Sequence, residues 1–356
     1  MAWRICDLYT DYLICQNRYA TATGLSELLP DDISHDQITR FLNGRLLGSK
    51  ELWQYIKPQV RQHETTFGGV LILDDTIEEK PYTDENEIVC WHHCHTKGRH
   101  IKGMNILSSL INYGNMTLPV GYEIVHKDVQ FSDVASKKLK RSASITKNEH
   151  FRYLVGQAST NLINFDYVLA DSWFASKENF DYIHNLKKYF IIGLKSNRTV
   201  ALSYNEKIRG KFQKVGTLDM GDSQSRIVWL KGSSFPITLV KKIFKNEDDT
   251  VGVLYLASND VNHDADYLYQ TYQKRWQVEL YHKSIKQNAS LAKSPTKLVR
   301  SQSNHIFASI MAFCKLEMLQ LITAANHFAL KYKLVVIANL AAMKELRNLR
   351  LGSGGA

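Results

Sequence analysis

Two apolar runs that each stop on acids set the frame of this chain. Gly69-Val70-Leu71-Ile72-Leu73 leads into Asp74-Asp75-Thr76, and Phe165-Asp166-Tyr167-Val168-Leu169-Ala170 leads into Asp171-Ser172. Runs of this kind predict strands buried on both faces, and acids at their carboxyl ends sit where open α/β sheets bind ligands. Further strands are predicted around His100 to Tyr113 and Leu118 to His126, with Gly114-Asn115 as a hairpin signal between them. A helix near 148–161 and a strand from Tyr189 to Leu194 follow. Residues 195 to about 257 then break the alternation: Ser225-Arg226-Ile227-Val228-Trp229-Leu230 and Pro236-Ile237-Thr238-Leu239-Val240 read as antiparallel strands separated by Gly and Ser turns. Residues 1 to about 65 read as helical. Ser34-His35-Asp36-Gln37 ahead of Ile38, Phe41 and Leu42 is a capping box opening a short amphipathic helix. After the turn Leu29-Pro30-Asp31-Asp32 it has the form of the second helix of a helix-turn-helix, placing His35, Thr39, Arg40 and Asn43 toward a DNA groove, or equally of an ordinary helical hairpin. From Asn304 to Arg350 two or three helices are predicted, the first completing the core through Phe307, Ile310, Met311 and Cys314.

The periodicity between Tyr272 and Lys286 carries the most chemistry. Tyr272, Arg275, Glu279 and Lys286 stand at helical offsets, so one helix would direct all four into an arc of roughly 60° along about 21 Å. Val278, Tyr281 and Ile285 would be buried on the opposite face while the polar stripe stays exposed. One carboxylate flanked by cations suits a phosphodiester, the acid holding a metal while the cations track phosphates. The plainer reading is a solvated face with local ion pairs of about 0.2–0.5 kcal/mol each. For Asp74 or Asp171 alone the plainer reading is a turn or a helix cap. The three acids together outweigh these separate readings.

This set resembles the DDE transposases of bacterial insertion sequences, in particular the group marked by a Y-x2-R-x3-E-x6-K signature, matched here by Tyr272, Arg275, Glu279 and Lys286. The likeness runs from about residue 65 to 325. It implies an α/β fold: a ribonuclease H-like mixed-sheet core with a β-rich insertion, a helical DNA-binding domain before it and helices after it. It implies Asp74, Asp171 and Glu279 as catalytic acids and metal ligands, holding two Mg²⁺ ions for which Mn²⁺ can substitute. Asp74 is preferred to Asp75 because the family's first acid is followed one residue later by Thr or Ser, and alternation sends the two side chains to opposite faces. Tyr272, Arg275, Lys283 and Lys286 would hold phosphates, and Arg40 would contact the element's ends. Domains are then expected at 1–65 (helical, DNA-binding), 66–194 (core, first part), 195–257 (β-rich insertion, accounting for the 108-residue gap from Asp171 to Glu279), 258–325 (core, second part) and 326–351 (C-terminal helix), with 352–356 a linker-like Gly/Ser tail. The implied activity is cut-and-paste transposition: cleavage at transposon ends and joining of the 3′-hydroxyls to target DNA by a homodimer. Rivals are a structure-specific nuclease of the same fold and a domesticated, non-catalytic DNA-binding protein.

Composition agrees with a polyanionic partner. Forty-five Lys and Arg against thirty-five Asp and Glu leave a formal charge of +10. Lys137, Lys138, Lys140, Arg141 and Lys147 form a basic cluster in a predicted loop or helix start, a candidate backbone contact. Five cysteines without framework spacing fit a reduced, cytosolic compartment, and the resemblance implies that it is bacterial and at the nucleoid. No signal peptide or membrane span is expected. Trp91-His92-His93-Cys94-His95 with His100 suggests zinc, but lacks a second ligand pair at finger-like spacing. Trp173 and Trp229 are either core aromatics or platforms for a displaced base.

Overall fold

The computed structural model describes residues 2–66, 68–94, 97–134, 137–245 and 249–352. Four helices come first, α1 (Ala2–Cys15), α2 (Ala22–Leu28), α3 (His35–Leu42) and α4 (Ser49–His63). The capping box forms: Ser34 Oγ accepts from Gln37 N while the Gln37 side chain accepts from Ser34 N. Next come β1 (Val70–Glu79), β2 (Cys90–Cys94), β3 (Arg99–Tyr113), β4 (Met116–Ile124), the hairpin β5 (Val129–Asp133) and β6 (Lys138–Ser142), α5 (Lys147–Thr160), β7 (Tyr167–Ala170), α6 (Lys177–Asn185) and β8 (Tyr189–Leu194). The basic cluster of Lys138, Lys140 and Arg141 is therefore a strand, not a loop.

One large sheet holds the molecule together. β1 pairs in parallel with β7, β7 in parallel with β8, and β3 runs antiparallel to both β1 and β4. The central order β4-β3-β1-β7-β8 fits a ribonuclease H-like fold. Val70, Leu71, Ile72 and Leu73 have no exposed surface, as expected for strands covered on both sides. Gly114 adopts φ +62° in the β3–β4 turn, where a Cβ would be strained.

After β8 the chain continues through β9 (Thr199–Ala201), α7 (Tyr204–Ile208), β10 (Gln213–Lys214), β11 (Gln224–Leu230), β12 (Ile237–Lys245) and β13 (Val251–Ser258). β11 and β12 pair antiparallel, and β13 pairs antiparallel with β8, so these strands extend the same sheet.

The remaining helices are α8 (Ala265–Gln273), α9 (Trp276–Gln287), α10 (Val299–Thr323) and α11 (His327–Gly352). α10 is long and apolar enough to cross a membrane, yet it is a core helix: every residue from Ser301 to Cys314 is buried. It joins two cores. Phe307, Ile310 and Phe313 pack with the sheet, whereas Ala308, Ala312 and Leu316 pack with Tyr9, Leu13, Leu25 and Ile38 of the first three helices. α4 packs with the sheet core through Leu52, Ile56 and Val60.

The expected single helix from Tyr272 to Lys286 is interrupted. α8 stops at Gln273 and α9 starts at Trp276. Between them Arg275 N donates to Tyr272 O (2.9 Å), and Gln277 N and Val278 N donate to Lys274 O and Arg275 O (3.1 and 3.0 Å). Such three-residue bonds tighten the turn and bring positions i and i+3 into line. Val278, Tyr281 and Ile285 are buried as expected, a burial worth on the order of 6 kcal/mol together.

Candidate active site

Asp74 lies in the middle of β1, not at its end, because β1 runs on to Glu79 against β3. What ends near it is β7. The parallel register sets Ile72 beside Leu169, and two further residues along each chain bring Asp74 level with Asp171. Asp171 leaves β7 as the cap of a short 3₁₀ turn, Ser172–Phe174, its Oδ1 accepting from Trp173 N at 2.9 Å. Asp171 thus caps a turn, as the plainer reading has it, while standing level with Asp74. Gly193 on β8 makes room for this turn, since a Cβ there would come within 3.0 Å of Ser172 N.

The two aspartates repel each other. Burial and then the Asp171 charge push the Asp74 carboxyl up to about 7, against the opposing pull of Arg275. Arg275 Nη1 donates to Asp74 Oδ2 at 2.9 Å, and its Nη2 stands 3.6 Å from Glu279 Oε1. Tyr272, buried, lies beneath the guanidinium, 5.9 Å from ring centre to Cζ. One cation thereby stands between the first acid and the third. The structure gathers Asp74, Asp171, Tyr272, Arg275 and Glu279 in one place.

The rest of the predicted stripe is not on show. Lys286 turns onto β1, donating to Ile77 O at 2.9 Å beside Glu78, and burial holds its ammonium below the usual lysine range. Lys283 sits 5.0 Å over the Phe328 ring. Asp75 faces the opposite side of the sheet, accepting from Asn105 Nδ2 (2.6 Å) and Lys147 Nζ (3.0 Å). On α3, His35, Thr39, Arg40 and Asn43 are all exposed, with Arg40 Nε on Asp36 O at 3.3 Å.

Elsewhere, His92 is buried and held down to about 4 by its burial, while His93 packs edge-on against His100 at 5.2 Å. His95 and residues 353–356 lie outside the described residues. Trp229 is half-buried against Tyr204 with Lys207 over its ring. Sequence reasoning missed Lys195 and Asn197, which line a cleft of about 560 Å³ with Asp171, Gly193 and Tyr272. The available signal was a cation directly after the apolar run Phe190–Leu194.

Residues 2–212 match the family model described as DDE superfamily endonuclease, a stretch that includes Asp74 and Asp171. The chain belongs to that family. No curated protein matches it. A DDE superfamily endonuclease acts on DNA, and enzymes of this superfamily generally use divalent metals. The donor set of this DDE superfamily endonuclease fits such an ion in kind: the acids are oxygen donors only, and the crowding of Asp74 against Asp171 is relieved by a hard cation. Among the described residues, however, no three His, Cys, Asp or Glu side chains stand close enough to hold one ion, because the Arg275 guanidinium fills the space between Asp74 and Glu279.

Proposed function

We propose that this protein is a transposase that binds the ends of a bacterial mobile element, cleaves there, and joins the freed 3′-hydroxyls to target DNA by a cut-and-paste route. The carrying observation is the juxtaposition of Asp74 and Asp171 with Arg275 bridging to Glu279. Asp74 and Asp171 would hold two Mg²⁺ ions, or Mn²⁺ in their place, with Glu279 joining them once Arg275 leaves the space between it and Asp74. Bound ions of this kind activate water and neutralise a leaving 3′ oxygen.

The protein's own residues do the rest. Trp173 N fixes one Asp171 oxygen and leaves the other free to act. Tyr272 supports the Arg275 guanidinium from below, so that Arg275 can exchange a carboxylate for a phosphate oxygen of the scissile strand. Lys286 braces β1 and reaches phosphate only by leaving the Ile77 carbonyl, while Lys283 extends the same basic surface. The exposed face of α3, with Arg40, would read the element's ends. Two copies would bring two ends together in the bacterial cytoplasm.

The test uses supercoiled DNA bearing the element's ends, Mg²⁺, and either the parent protein or Glu279→Gln. Cleavage and joined products from the parent, with at least a hundredfold loss in the variant, are expected (about 3 kcal/mol of barrier). Equal cleavage by both removes Glu279 from the site. Cleavage without joined products leaves a nuclease.

A further inference from the structure

Lys147 is the first residue of α5, immediately after its Thr146 cap. A cation there sits at the positive end of the helix dipole, a placement that costs about 0.3–1 kcal/mol. Its contacts explain it. The Nζ lies 3.0 Å from Asp75 Oδ1 and 4.0 Å from the centre of the Trp173 ring. Asp75 follows Asp74 directly, and Trp173 is the residue whose N–H holds Asp171 Oδ1. The pair is well shielded, with 22% of the lysine and 16% of the aspartate side chain exposed. Asn105 Nδ2 grips the other Asp75 oxygen at 2.6 Å.

We propose that Lys147 is a positioning residue: by gripping Asp75 and Trp173 at once, it sets the separation of Asp74 and Asp171 from the far face of the sheet. The two aspartates repel each other, and the short β7 ends where they meet, so no ladder bonds tie them together. The ammonium on the reverse side supplies the missing tie. The inference rests on the proposed function, since a fixed separation matters only if the two acids share ions. It assigns Lys147 a role apart from the DNA contacts expected of a basic cluster.

The test is Mn²⁺ binding to the full chain without DNA, measured by calorimetry for the parent, Asp74→Asn, Lys147→Met, Lys147→Arg and Trp173→Leu. Asp74→Asn is expected to abolish the strongest binding. Lys147→Met is expected to weaken it about tenfold, in line with losses at other supporting residues of metal sites, and Lys147→Arg to stay within about twofold of the parent by keeping both contacts. Deleting a nearby positive charge with no positioning role would instead tighten Mn²⁺ binding. Unchanged or tighter binding in Lys147→Met, with binding lost in Asp74→Asn, overturns the positioning role alone. Undiminished binding in Asp74→Asn overturns the metal site and the positioning role together. If Lys147→Met does not fold, Trp173→Leu decides by the same sign: it keeps the ion pair, loses the ring contact, and should bind more weakly.

Discussion

Asp74 is pulled in opposite directions by its neighbours, and its response to pH follows from them. In the folded protein its carboxyl titrates near 7, whereas the unfolded chain releases the same proton near the ordinary value of 3.8. The folded state therefore holds an extra proton between those values, and stability falls as pH rises through that window. Asp74→Asn removes the effect. In metal-free buffer the variant should match the parent near pH 4 and exceed it by about 4 kcal/mol at pH 8, as read by urea unfolding at both pH values. A variant equally stable or less stable than the parent at pH 8 would show that Arg275 outweighs burial and the Asp171 charge. At this scale much was legible beforehand. Strand alternation separated Asp74 from Asp75, and the structure sends them to opposite faces, one to Arg275 and the other to Lys147. What the residue pattern did not reveal was that the main partner of Asp74 is an arginine 201 positions away, since spacing within a helix says nothing of which strand it will lie against.

At the level of elements, α9 is the part that must be held in register, and it is held from behind. Ile285 has no exposed surface and packs in the main core. Ile285→Ala should cost about 2–5 kcal/mol of stability, with the midpoint of denaturant unfolding lowered. Cleavage measured well below the new midpoint should fall more than end binding does, because Arg275 and Glu279 are carried on the loosened turn while α3 is not. Helical periodicity identified the buried face correctly. It failed at Lys274 and Arg275, where nothing in residue type breaks a helix: no Gly or Pro stands there, and the tightening arises from the docking of Arg275 onto Asp74 and Tyr272. For the same reason the stripe was expected in solvent, when two of its members are spent on β1.

Across the whole molecule, the two long helices behave differently. α10 is buried almost throughout its first half and stitches the leading helices to the sheet, with Tyr9 Oη and His305 Nδ1 2.9 Å apart. α11 is anchored at its beginning: His327 Nε2 lies 3.0 Å from Glu317 Oε2, and Lys331 Nζ donates to Gln16 O at 2.7 Å. From Ile337 to Arg350 every residue is exposed. A chain ending after Leu334 should keep its melting temperature within about 2 °C, whereas one ending after Ala325 should lose several degrees, as differential scanning calorimetry would show. A large loss in the chain ending after Leu334 would mean that a second copy covers the exposed helix. Composition foresaw the basic balance of the chain but not this layout, because burial of α10 depends on which elements meet and not on their apolar content.

The strands after β8 were expected as an insertion, and their pairing has a consequence for how such a chain lengthens. β13 lies directly on β8 and runs against it, so the polypeptide leaves the strands that carry Asp74 and Asp171 and comes home along their border before delivering α8. Because β13 runs against β8, it ends at the edge where β8 begins, and only strands added in antiparallel pairs preserve that direction. Spacers between the second and third acids in kindred chains should therefore grow or shrink by whole hairpins, leaving Arg275 and Glu279 delivered to the same spot whatever the detour.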